Sequence, residues 1–237
     1  MNQERLSSMD IDARELVWLY NRIPMHTNDS CVGHVQSGKL GDGNAMRFLP
    51  ELEIIPETSQ IVDRRIVHFP ERYVYRGKEV QESDLVAGTF CHRDENPSIY
   101  PVEKINELRL GGYMKDIKFA GARLLGLEEN NDEASAIAER LRGLISRFNG
   151  DIKFVYNETR SPLSFSTLDV EFNPGMRLAG DIIEQYGSLD KYWEHAINTV
   201  LAQQKRVYEF WKCLTEVCRD VIGVTRADFE AVMSSGS

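Results

Sequence analysis

The chain has 237 residues, a formal net charge of −9 at pH 7 and 42% hydrophobic residues. That length buries roughly 70% of the unfolded surface without a disulfide or metal staple. The acidic excess argues against a general binder of nucleic acid or of an anionic membrane surface, because both reward surplus Lys and Arg.

The opening MNQERLSSMDIDAREL carries charges where a leader needs an apolar run, and no membrane-length apolar segment follows, so a reducing, cytoplasmic setting is expected. Asp10 to Ile23 reads as a helix with Met9, Ala13, Leu16, Val17, Tyr20 and Ile23 on one face, stopped by Pro24. The stretch 24–45 lacks hydrophobic periodicity and is rich in Gly, Ser, Asn, Asp and His, which predicts a long polar loop and a first place to look for a site. MRFLPELEII, interrupted by Pro50, reads as a bulged or edge strand, and RYVYRGKEV as a hairpin turning at Gly77. SQIVDRRIVHF is compatible with strand or helix. A polar turn, a short helix near 102–110 and the Gly111-Gly112 break follow.

Beyond that break, IKFAGARLLGL reads as a strand, NDEASAIAERLRGLISRFNG as a helix capped by Asn130 or Asn131, DIKFVY as a second strand and LSFSTLDVEF as a third. A short helix, MRLAGDIIEQYG, leads to the longest signal in the chain. From Ser188 to Ile222 there is no Gly or Pro, and steps of three and four give Trp193, Ala196, Val200, Gln203, Val207, Phe210, Leu214, Val217 and Val221. Such a helix is roughly 50 Å long. It is expected either to bend near Gln203–Arg206 or to project and pair with another chain, making a homo-oligomer with Gln203 setting the register.

These elements predict an α+β fold: a mixed N-terminal half with irregular β-strands, a central βαββ unit and a long C-terminal amphipathic helix. The regions divide at 1–111 and 112–237, or form one continuous domain.

Four constellations bear on chemistry. In Leu168-Asp169-Val170-Glu171-Phe172, alternation puts both carboxylates on one strand face, where they could share Mg²⁺ or Mn²⁺ and position phosphate oxygens. The hydrophobic phase shifts within the strand, which places a bulge at Ser166-Thr167. Over these five residues the pattern resembles the Asp-x-Glu strand of DEDD exonucleases and nucleotidyltransferases, whose later acidic motifs and upstream Gly-Ser signature are missing here, so no family is assigned. Gly33–Leu40 fits GxxxxGK but has Leu40 in place of the metal-binding hydroxyl and lacks the strand and helix of a nucleotide loop. His26, Cys31 and His34, with Cys91 and His92, offer zinc-type ligands at a spacing unlike a standard finger. His92-Arg93-Asp94 contains an HxD pair without the surrounding signatures that would give it meaning.

Two function classes stand. The leading one is metal-dependent phosphoryl or nucleotidyl transfer or hydrolysis on a small phosphorylated or nucleotide-like substrate. Asp169 and Glu171 would hold Mg²⁺ or Mn²⁺, His92 would serve as general acid or base, and Lys39, Arg160 and His34 would bind substrate. The alternative is a non-catalytic interaction or assembly protein that oligomerises or binds a partner through helix 188–222. A third reading, contact with nucleic acid through Arg64, Arg65, Arg72 and Arg76, runs against the net charge.

Overall fold

The computed structural model describes residues 6–7, 9–23, 25–39, 45–86, 98–128, 131–155 and 162–235. It is α+β, as expected, with 47% helix and 28% strand. Helix α1 (Arg14–Tyr20) is followed by strands β1 (Met25–Cys31), β2 (His34–Lys39), β3 (Ala45–Leu49) and β4 (Leu52–Ile55). Then come β5 (Thr58–Val62), β6 (Arg65–Phe69), β7 (Arg72–Tyr75), β8 (Lys78–Val80), α2 (Glu82–Val86), β9 (Ser98–Pro101) and α3 (Lys104–Leu110). The second half contains β10 (Met114–Ala120), β11 (Arg123–Glu128), α4 (Asp132–Phe148), β12 (Phe154–Val155), β13 (Phe165–Thr167) and β14 (Val170–Phe172). Helices α5 (Ala179–Tyr186), α6 (Leu189–Ile222) and α7 (Arg226–Ser234) complete it.

Three long strands form the spine, and each is broken near its middle. β1 runs into β2 through Val32-Gly33, β10 into β11 through Gly121-Ala122, and β13 into β14 through Leu168-Asp169. β11 pairs antiparallel with β1 and β13, while β10 pairs antiparallel with β2 and β14. The breaks therefore lie side by side and divide the ladder into two sheets, ordered β1-β11-β13-β12 and β14-β10-β2-β3-β9. Glycine is required at two of them. Gly33 has φ +82°, and a Cβ there would meet the Phe119 ring at 2.5 Å; a Cβ on Gly121 would lie 2.2 Å from the Thr167 carbonyl oxygen. Side chains of the third strand close the gap: the Asp169 carboxylate accepts from the Gly121 N–H (2.7 Å) and the Thr167 hydroxyl from the Ala122 N–H (2.9 Å).

The stretch 24–45, expected to be a polar loop, instead supplies β1, at the edge of one sheet, and β2, at the centre of the other. Of its buried positions Val32 and Val35 are apolar, but Thr27, His34 and Ser37 are polar, so no hydrophobic alternation marks the strands. Ser37 is satisfied by donating to the Asp116 carbonyl (2.6 Å). MRFLPELEII also differs from expectation, being two strands in different sheets joined by a turn in which Glu51 has φ 61°.

The βαββ unit is present. β11 and β12 both run antiparallel to β13 between them, hence parallel to each other, with α4 as the connection. Asn131 caps α4, its side chain accepting from the Ala134 N–H (2.7 Å).

Helix α6 runs unbroken for 34 residues, capped by Ser188 and closed by Gly223 in the left-handed region. It is continuous through Gln203–Arg206 and packs on the body of the protein. Trp193, Ala196, Val200, Val207, Phe210 and Leu214 are buried against this chain's own α1, α4, α5, β2, β10 and β14. The amide in the seam is Gln204, which donates to the Phe48 carbonyl (3.2 Å), whereas Gln203 is half-exposed. A 3.5-residue seam and a 3.6-residue helix drift apart by about one position over this length. At its centre, Phe210 contacts the rings of Phe148 (5.6 Å), Phe154 (4.9 Å) and Phe165 (5.0 Å). No described helix is long and apolar enough to cross a membrane.

A second, smaller core of Leu49, Leu52, Tyr75, Leu85 and Ile99 sits under the β4-β7-β8 sheet. From that sheet projects the β5-β6 hairpin, formed by the segment left between helix and strand above. Its turn, Asp63-Arg64, has φ 49° and 66°, the double positive φ of a type I′ hairpin.

Candidate functional site

Residues three apart on a regular strand point to opposite faces, but the Val32-Gly33 break brings Cys31 and His34 together. Asp10, from the turn before α1, joins them, and ligand atoms of Asp10, Cys31 and His34 all lie within 4.8 Å of one another. His34 Nε2 is 2.8 Å from Asp10 Oδ2, with both side chains 5% exposed, and the buried Arg47 guanidinium from β3 is 3.9 Å from Asp10 Oδ1. His34 Nδ1 is buried without a hydrogen-bond partner. Burial works to lower the His34 pKa, but the Asp10 carboxylate outweighs it and, with Cys31, raises it to about 9. Burial likewise works to raise the Asp10 pKa, and His34 outweighs it, so Asp10 is held below the usual carboxylate range. The result is a buried carboxylate facing two cations. Carboxylate, thiol and imidazole are the donor set of a transition-metal site. Here the His34 proton and Arg47 already supply the positive charge, and an ion would have to displace that proton.

Asp12, two residues on, anchors the neighbouring network. Its carboxylate accepts from the Tyr75 hydroxyl (2.6 Å), the Arg76 guanidinium (2.8 Å) and the Tyr208 hydroxyl (3.4 Å). Arg76 also pairs with Glu51 (2.9 Å) and stacks on Tyr208 at 4.2 Å. Burial raises the Asp12 pKa, with Arg76 and Tyr75 working against it. A groove of about 550 Å³ opens over this network, lined among others by Glu15, Trp211 and Arg219. Asp10 and Asp12 were legible only as residues near a helix start; their pairing comes from tertiary contacts.

No family model, curated protein or solved structure matches this chain.

Of the residues given catalytic, substrate-binding or metal roles by the phosphoryl-transfer reading, three have described side chains. His34 faces the interior, whereas Asp169 and Glu171 are exposed. Where a bulge was expected at Ser166-Thr167, the strand is instead interrupted two residues later, at Leu168-Asp169, and one Asp169 oxygen is bonded to Gly121. Glu171 stands opposite Lys118 on β10. Lys39 ends β2 opposite Met114, and its side chain lies outside the described residues, as do His92, Arg160, Cys91 and the His26 side chain. The arginines of the basic cluster part company: Arg64 and Arg65 sit at the hairpin tip, Arg72 lies 3.9 Å from Glu79, and Arg76 is bound to Asp12.

The two carboxylates therefore separate by stability. Asp169→Ala is expected to cost about 1–2 kcal/mol through the lost bond to Gly121, and Glu171→Ala less than about 0.5 kcal/mol. Urea unfolding of both variants checks this, and equal effects would remove Asp169 as the pin of the break.

Proposed function

We propose that this is a non-catalytic interaction protein and that the β5-β6 hairpin is the arm it presents to a protein partner. One observation carries the reading: every residue of both strands is exposed, including Ile61, Val62, Ile66, Val67 and Phe69. A two-stranded ribbon is at best marginally stable alone, and apolar side chains grouped on an exposed surface are the mark of a contact site. Direct pairing across the hairpin puts Ile61 beside Ile66 on one face and Val62, Val67 and Phe69 on the other. The commitment of Asp169 to Gly121 weighs in the same direction, since it occupies a carboxylate oxygen that a metal site would use.

The test uses a hydrophobic dye, anilinonaphthalene sulfonate, on the intact chain and on Ile61→Asp/Ile66→Asp. The variant is expected to lose at least half of the dye fluorescence while keeping its circular dichroism and melting temperature. Equal fluorescence from the two proteins would sink the arm as the apolar contact surface.

A further inference from the structure

We infer that the groove over Asp12 binds a small organic carboxylate with an apolar body, its carboxylate accepting from the Trp211 indole N–H and balanced by Lys78 and Lys212. No residue of β5 or β6 lines this groove, so the site stands or falls independently of the arm.

The groove lies where the start of α1, the β7-β8 hairpin, α6 and α7 meet. Helix α6 contributes Tyr208, Trp211, Lys212, Thr215, Glu216 and Arg219, the steps of three and four that make one face of a helix. From Tyr208 to Arg219 that face runs roughly 16 Å at 1.5 Å per residue. Its volume of about 550 Å³ lies in the range that holds a whole small molecule.

The choice of ligand follows from what the groove leaves unused. Most of its acids are occupied: Asp12 by Tyr75, Arg76 and Tyr208, Glu51 by Arg76 (2.9 Å), Glu15 by Arg219 (3.2 Å) and Glu230 by Arg226 (3.0 Å). The Thr215 hydroxyl is spent on the Trp211 carbonyl (2.9 Å). The side chains of Lys78, Lys212 and Glu216 have no partner among the described residues, which leaves two cations against one anion. The Trp211 indole is 2% exposed, and its Nε1–H is buried without an acceptor. That group can only donate, and a buried donor left unmatched is costly, so a ligand that brings an acceptor gains by meeting it. A carboxylate supplies both the acceptor and the negative charge, whereas an ammonium ligand of the same shape supplies neither. Ile11, Val80 and Phe229 give the wall against which an apolar body packs.

The test titrates phenylbutyrate, to roughly 20 mM, into the isotopically nitrogen-labelled full chain and follows the indole N–H resonances by nuclear magnetic resonance. The Trp211 resonance is identified by its absence from Trp211→Phe, or by elimination with Trp18→Phe and Trp193→Phe. It is expected to move downfield and saturate, with a dissociation constant on the order of 1 mM. Phenylbutylamine, which carries the same body on an ammonium group, is expected to bind at least about tenfold more weakly. Lys78→Gln/Lys212→Gln alters two exposed side chains and is expected to keep the melting temperature while weakening phenylbutyrate about tenfold. A Trp211 resonance that does not respond, an amine that binds as well as the acid, or a glutamine variant of wild-type affinity would each overturn the carboxylate site. The same titration on Ile61→Asp/Ile66→Asp is expected to give the wild-type affinity; a loss there would place the probe on the arm and overturn the groove.

Discussion

Asp10→Asn is expected to lower folding stability by about 3–5 kcal/mol, the range for removing one partner of a buried ion pair. The amide would leave the Arg47 guanidinium and the His34 ring buried without the carboxylate that balances them. His34 would then release its proton rather than stay charged in the interior. The loss should depend on pH with a defined sign. The folded His34 pKa, about 9, lies above its ordinary 6.5, so its contribution is complete below about pH 6.5 and fades as pH rises through 9. Asp10 is shifted the other way: its contribution is present above its ordinary 3.8 and is lost as pH falls through the lower folded value. The gap between wild type and Asp10→Asn is therefore widest between about pH 4 and 6.5 and narrower at about pH 9.5. Urea unfolding at pH 5.5 and 9.5 measures it, and a gap that did not change would mean that His34 and Asp10 do not face each other as ions.

The second large effect is expected at Phe210→Ala, at about 4 kcal/mol. Phe210 is fully buried, and it is where α4, α6, β12 and β13 meet through one group of rings. Truncation leaves a cavity bounded by separate elements, which cannot all move in to fill it. Phe154→Ala should cost less, because Phe154 is only half-buried and the short β12 can shift. The comparison is made by chemical denaturation. A Phe210→Ala cost below about 1.5 kcal/mol would mean that the four elements hold together without this contact.

The α+β class, the βαββ order, the caps at Asn131 and Ser188 and the extent of α6 were legible because each has a local cause: period, cap chemistry or a terminating glycine. The first two strands were not. β1 and β2 bury Thr27, His34 and Ser37 where alternation calls for apolar residues, and the partners that make this affordable, Asp10 and Asp116 among them, are remote in sequence. Asp169 and Glu171 illustrate the opposite error. Only Glu171 stands on a strand; Asp169 falls in the break before β14, and a spacing cannot reveal that its carboxylate holds the Gly121 amide of the facing break. The arm was legible as a segment of uncertain period and no further, because both of its faces are exposed and neither periodicity is imposed on it.

Helix α6 also fixes when this protein can fold. The sheet is assembled from partners far apart in the chain, and Gln204 of α6 reaches back to Phe48, 156 positions earlier. As the polypeptide emerges from a ribosome, every strand of the spine is synthesised before the helix that covers it. Until residues 189–222 arrive, the core containing Phe48, Phe119 and Phe165 lacks the helix that packs on β2, β10 and β14. Folding is thus held back to a late, long-range step, the regime in which closure is slow and exposed strands are open to aggregation. Shortening α6 from its C-terminal end would then reduce the yield of folded protein out of proportion to the contacts removed.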